Sequence, residues 1–226
     1  MFVIGIIVIC IVGTLLHFVY EWSHHNRVVA VFAAVNESTW EHIKIAMTPT
    51  LLWSVFEISE CGFTNNFIFA KSMCLLTIIL VIPILFYSYT AFTKKAILWI
   101  DVICFFISIT CSQFVYRYVI NLINYSSIFN YISFGLIIIE LFLYFYLTFN
   151  PLKNFIFKDP ITNRYGLDGH PCHHDHKHEH WKRVYSLFFM LYYIWGLYEE
   201  TKNNIFNCYN YIYLFNNIDI KKNRYV

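Results

Sequence analysis

"MFVIGIIVICIVGTLLHFVY", Met1–Tyr20, decides the fold class of this chain. Its single ionisable side chain is His17, and at about 1.5 Å of rise per residue a helix of this length crosses a hydrocarbon core about 30 Å thick. A secretory leader would start with a basic region and end on a small-residue cleavage site. Neither is present, so the stretch reads as a retained first span. The composition agrees: 226 residues, 58% hydrophobic and 13% charged, where an ordinary soluble domain carries about 25% charged residues. Aromatic residues reach 21%, part of which an AT-rich genome would also produce. The formal net charge of +2 offers no basic patch for nucleic acid, and the lipid bilayer is the expected surrounding.

Working outward, apolar runs predict further spans at Ile43–Ser59, Phe67–Phe92, Ala96–Tyr116 and Ile128–Phe149, with Pro83 as a kink that neighbouring helices accommodate. "VVAVFAAV", Val28–Val35, is too short to cross and reads as an interfacial or re-entrant piece. Residues 1–150 are therefore expected to form an all-α, polytopic transmembrane helix bundle of five or six spans. Residues 151–183 form a polar, His-rich segment punctuated by Asp-Pro and Gly. In the aromatic-rich tail, 184–226, "VYSLFFMLYYIWGLY" (Val184–Tyr198) leaves a sixth crossing and an interfacial helix both open. Of seven cysteines, Cys10, Cys74, Cys104 and Cys111 lie in apolar runs as small hydrophobes, and no CxxC pair suggests a disulfide framework.

Basic residues fall on alternate connections: Arg27 and Lys44, then Lys94 and Lys95, then Lys153, Lys158 and Arg164. The positive-inside rule puts these connections in the cytoplasm, hence the N-terminus outside and the His-rich segment inside.

"VNESTWEHIK", Val35–Lys44, opens the second span with more polar groups than a connection needs. Ser38 and Glu41 have the spacing of a capping box, Glu37 complements the helix dipole, and Trp40 suits an interface anchor. His42 is unexplained by capping. In "HFVYEW", His17 and Glu21 stand four apart on one helical face at the same membrane depth. Asp101 enters the fourth span from that side. These residues are expected to converge in one cytoplasmic-facing vestibule. His17, His42 and Glu37 are its metal-ligand candidates, and Glu41 and Glu21 its candidates for a catalytic base. Imidazole with carboxylate suits Zn or another divalent transition metal. Glu57 reads as snorkelling outward beside Glu60, whereas Glu140 sits mid-span and must face the bundle, protonated or paired.

"HPCHHDHKHEH" adds His170, Cys172, His173, His174, His176, His178 and His180, alternating donors that bind divalent metal without a rigid site and without zinc-finger spacing.

The blocks "LLHFVYEWS", "NRVVAVFAAVNESTWEHIK" and "DPITNRYG" resemble an uncharacterised family of bacterial multi-pass membrane proteins known as a domain of unknown function. The resemblance covers roughly residues 10–60 and 151–170 by motif and the intervening spans by pattern, and stops at about His180. It implies a polytopic protein of a bacterial inner membrane and brings no activity. Three functions are consistent with the residues: a membrane-embedded metal-dependent enzyme on a lipid-type substrate, a divalent-metal transporter or sensor, and a structural membrane component. The chain lacks the HExxH and GxSxG hydrolase motifs, and the absence of internal repeats weighs against a secondary transporter.

Overall fold

The computed structural model describes residues 2–61, 66–122 and 127–169. The described elements are helical: α1 (Phe2–Trp22), α2 (Val29–Phe32), α3 (Thr39–Cys61), α4 (Phe67–Thr93), α5 (Leu98–Ile120), α6 (Ser127–Phe149) and a 3-10 turn at Gly166–Gly169. Strand pairing among the described residues amounts to an isolated bridge between Lys158 and Tyr165. From His170 onward the chain, including the metal-ligand candidates His170 to His180 and the tail, lies outside the described residues.

The fold is an all-α helical membrane bundle. Four helices, Phe2–Trp22, Phe67–Thr93, Leu98–Ile120 and Ile128–Phe149, are long and apolar enough to cross a membrane. Their outward faces carry large apolar side chains such as Leu80, Ile84, Ile103, Phe114, Ile138 and Phe142, all at least half or nearly half exposed. A soluble domain would not leave so extended an apolar surface to water; hydrocarbon is its natural solvent.

The second expected span behaves differently. α3 is 23 residues long, but Glu41, Lys44, Glu57 and Glu60 make it too polar to qualify by composition. It takes the centre of the bundle instead. Gly5 of α1 faces Trp53 of α3, Gly13 faces the Ile45 carbonyl, and His17 faces His42. The paired numbers rise on one helix as they fall on the other, so α1 and α3 are antiparallel along their length. α4 runs back along α3, with Lys71 at Glu57 and Tyr87 at Thr39. Lys44, Thr48 and Glu57 of α3 thus meet α2, α6 and α4 in turn, and Leu52, Val55 and Phe56 face outward.

The two glycines set the distance. A Cβ at Gly13 would lie 2.7 Å from the Ile45 carbonyl oxygen and 2.7 Å from the Phe105 ring. That carbonyl is the one Pro49, four residues on within α3, cannot engage because proline has no N–H. Small residues at such a crossing let backbones approach, as membrane helix pairs require.

Glu57 corrects the expectation that it snorkels outward. It is buried and paired at 2.5 Å with Lys71, whose ammonium also lies 4.3 Å from the Tyr116 ring centroid. A lysine one turn into a span reads as an end-of-helix residue in sequence. Only the packing of α4 on α3 brings its charge to Glu57.

Candidate functional site

The connection between α1 and α3 folds back into the bundle. α2 is a single turn, and Ala30, Ala33, Ala34 and Val35 are buried around it. Two ties hold this piece. The fully buried Lys44 ammonium donates to the Ala30 carbonyl at 2.7 Å and pairs with Glu41 at 2.9 Å. The Glu41 carboxylate in turn accepts the Val35 N–H at 2.9 Å.

The capping box is therefore rearranged. Glu41 would have returned to the Ser38 N–H, but Asn36 Oδ1 takes that amide at 2.9 Å, leaving Glu41 to reach farther back, to Val35. Both partners of the Glu41–Lys44 pair are almost fully enclosed, so their charges satisfy each other and the backbone. Glu41 faces Lys44 and the Val35 amide.

Residues 151–169 close this end from the other side. Ile156 accepts the Trp40 N–H at 3.1 Å, the Trp40 and Phe157 rings lie 4.9 Å apart, and Gly166 accepts from Asn36 Nδ2 at 2.8 Å. Tyr87 of α4 donates to the Phe155 carbonyl at 3.1 Å. Buried Asp159 organises the strap by accepting the Ile161 and Thr162 amides, each at 3.1 Å. Asn163 and Gly166 take the left-handed conformation its turn requires. Trp40 is roofed by Phe157, and its indole N–H has no acceptor among the described residues.

Held between these layers are His17, Glu37 and His42. One donor atom from each lies within 4.8 Å of the others, the one such trio of metal-capable side chains among the described residues. His17 Nε2 stands 3.3 Å from Glu37 Oε2, and the His17 and His42 rings are 5.7 Å apart. His42 Nδ1 is 2.9 Å from the Ser38 carbonyl oxygen. All three side chains are partly buried, enclosed yet reachable. Donors around tetrahedral zinc stand about 3.3 Å apart, so the His17–Glu37 pair already has that spacing and the third donor has a short way to draw in.

Glu21, one turn past His17, is half-buried and outside the trio. Asp101 is near but separate. With Thr39, His42, Ile82, Phe86, Cys104 and Phe105 it lines a small cleft between α3, α4 and α5. The Tyr89 hydroxyl donates to its carboxylate and accepts the Ile97 N–H at 3.2 Å. His42 therefore belongs to both the trio and the cleft. The sequence carries no signal for the Tyr89–Asp101 pair, nor for Thr39 and Cys104 in the lining, because no motif spacing links α3, α4 and α5.

The chain matches no curated protein and no solved structure. One family model does match, over residues 1–167, which takes in all five long helices, α2, the strap as far as Leu167 and every residue of the trio and the cleft. The chain belongs to that family, described as the Family of unknown function (DUF6512).

Proposed function

We propose that this protein is a membrane-embedded divalent-metal protein whose site is His17, Glu37 and His42, and that it acts as a metal-dependent enzyme on a lipid-type substrate. The observation that carries the reading is the convergence of two imidazoles and one carboxylate from α1, the α1–α3 connection and α3. Two histidines and a glutamate are a recurrent catalytic zinc ligand set, with the fourth position left for water or substrate. Zn fits this set, as does another divalent transition metal. Bound there, the ion would supply Lewis acidity toward an ester or phosphoester oxygen. A small, largely apolar cleft lined by Ile82, Phe86 and Phe105 adjoins His42. Glu41 stabilises the fold in this reading. Glu21, one helical turn from His17 on α1, is the proposed base.

The second reading, a divalent-metal transporter or sensor, draws on the buried Glu140 of α6 and on the donors His170, Cys172, His173, His174, His176, His178 and His180. We place the protein in a bacterial inner membrane with the trio and the His-rich segment on the cytoplasmic side, on the distribution of Lys and Arg.

Metal content measured on purified protein tests the site. Deleting residues 170–180 removes the loosely held ions and leaves one, which His17→Ala with His42→Ala in the same background removes. Full retention by that variant overturns the site. Incubating the zinc-loaded protein with a membrane lipid extract should release a cleaved lipid that the double variant does not release. No product from any lipid class leaves the transporter reading in its place. Single cysteines at Arg27 and Lys95, both exposed, should react with an impermeant thiol reagent from the cytoplasmic face alone; labelling of position 27 from outside reverses the orientation.

A further inference from the structure

We propose that Asn36 is a positioning residue of the metal site: its side chain ties the 151–169 strap to two of the three ligands, so that metal and strap hold each other in place. The proposal rests on the reading of His17, Glu37 and His42 as that site.

Asn36 is 5% exposed, and its two polar atoms bind different parts of the molecule. Oδ1 accepts the Ser38 N–H at 2.9 Å. This is an Asx turn, a side-chain bond to the backbone two residues on, and it closes over Glu37. Nδ2 donates to the Gly166 carbonyl of the strap at 2.8 Å. Gly166 is itself fixed in place. Its φ is +54°, and a Cβ there would lie 2.9 Å from Pro151 Cγ, just past the end of α6. From the same 3-10 turn Gly169 comes as close to Asn36, where a Cβ would meet Nδ2 at 2.9 Å.

Two ligands depend on these bonds. Glu37 sits inside the Asx turn, which sets the direction in which its side chain leaves the backbone toward His17, with Oε2 3.3 Å from Nε2. Ser38 carries the second connection. Asn36 holds its N–H, while its carbonyl oxygen takes the Glu41 and His42 amides at 3.0 and 3.3 Å and lies 2.9 Å from His42 Nδ1. Asn36 thus anchors the residue that starts α3 and orients the His42 ring. The strap's bonds to Trp40 and Tyr87 go to residues that are not ligands.

Groups that orient metal ligands in this way typically contribute about 10–100-fold to affinity. The coupling is reciprocal: whatever strap docking adds to metal affinity, bound metal adds to strap docking.

The experiment uses the full chain in detergent, with zinc as the probe. Zinc held by the trio is the difference between each protein and His17→Ala with His42→Ala, whose remaining ions belong to other donors. Asn36→Ser keeps an oxygen for the Ser38 amide and loses the strap bond, and Gly169→Ala presses on Asn36 from the strap. Each should weaken binding at the trio by about 10–100-fold. Zinc should also slow hydrogen exchange at the Ile161 and Thr162 amides, which Asp159 holds, in wild type but not in Asn36→Ser. In Asn36→Ala, nitrogen NMR should show His42 losing its single Nδ1–H tautomer, which a loss of bundle stability alone does not produce. Wild-type affinity in both Asn36→Ser and Gly169→Ala would overturn the proposal. So would strap exchange that zinc leaves unchanged, or protection that the double histidine variant retains. A wild type that binds no more zinc than the double variant sinks the metal site itself, and the proposal with it. The exchange comparison on wild type with and without zinc decides even where an Asn36 variant fails to fold.

Discussion

His42 Nδ1 lies 2.9 Å from the Ser38 carbonyl oxygen, four residues back at the start of α3. A carbonyl only accepts, so Nδ1 carries the hydrogen of this contact. In the neutral ring Nε2 then holds the lone pair, which is how a metal-ligating histidine is usually oriented.

Zinc affinity is expected to depend on all three side chains of the trio. In protein lacking residues 170–180, loss of a mere supporting contact costs about 10–100-fold in affinity. Glu37→Gln or His42→Ala, which remove a ligand, should therefore cost more than about a hundredfold. Competition against a chelating dye measures it, and the affinity should fall as pH drops, because protons compete for the imidazole lone pairs.

The Glu41–Lys44 pair is expected to govern stability. Lys44→Met strands the buried Glu41 charge and should cost about 3–5 kcal/mol. Thermal unfolding in detergent reads the loss. Glu41→Gln with Lys44→Met should recover much of it, a non-additivity that an independent pair of sites would not show.

The same test applied to Glu57 and Lys71 probes the far end of α3. Lys71→Met alone leaves Glu57 buried without its cation and should cost about 3–5 kcal/mol, whereas Lys71→Met with Glu57→Leu should be near neutral. A double variant as unstable as the single one would contradict a closed pair.

Gly13→Leu should part α1 from α3. Even a Cβ at Gly13 falls 2.7 Å from the Ile45 backbone oxygen, which cannot swing away as a side-chain tip can. Overpacking typically costs about 1–3 kcal/mol. His17 sits one turn along α1, so the variant should also lower metal content, read on the same purified samples.

Much of this protein is determined by sequence alone, because the governing properties are local. A long run without charge must satisfy its own backbone in lipid, which makes α1, α4, α5 and α6 helices whose observed ends fall within four residues of those the apolar runs predict. The same runs locate His17 and His42 at one membrane depth. Tertiary structure decided what each polar group does. Glu37 and Glu41 stand four apart in one motif, yet Glu37 turns to His17 and Glu41 to Lys44. Trp40 meets Phe157 of the strap, a contact that no spacing in the sequence announces. Glu57 looks exposed until α4 supplies Lys71. Helical spacing assigns a residue to a face, but it does not say what that face meets. The meeting is set by the register between helices, which here depends on how closely Gly5 and Gly13 let α1 approach α3.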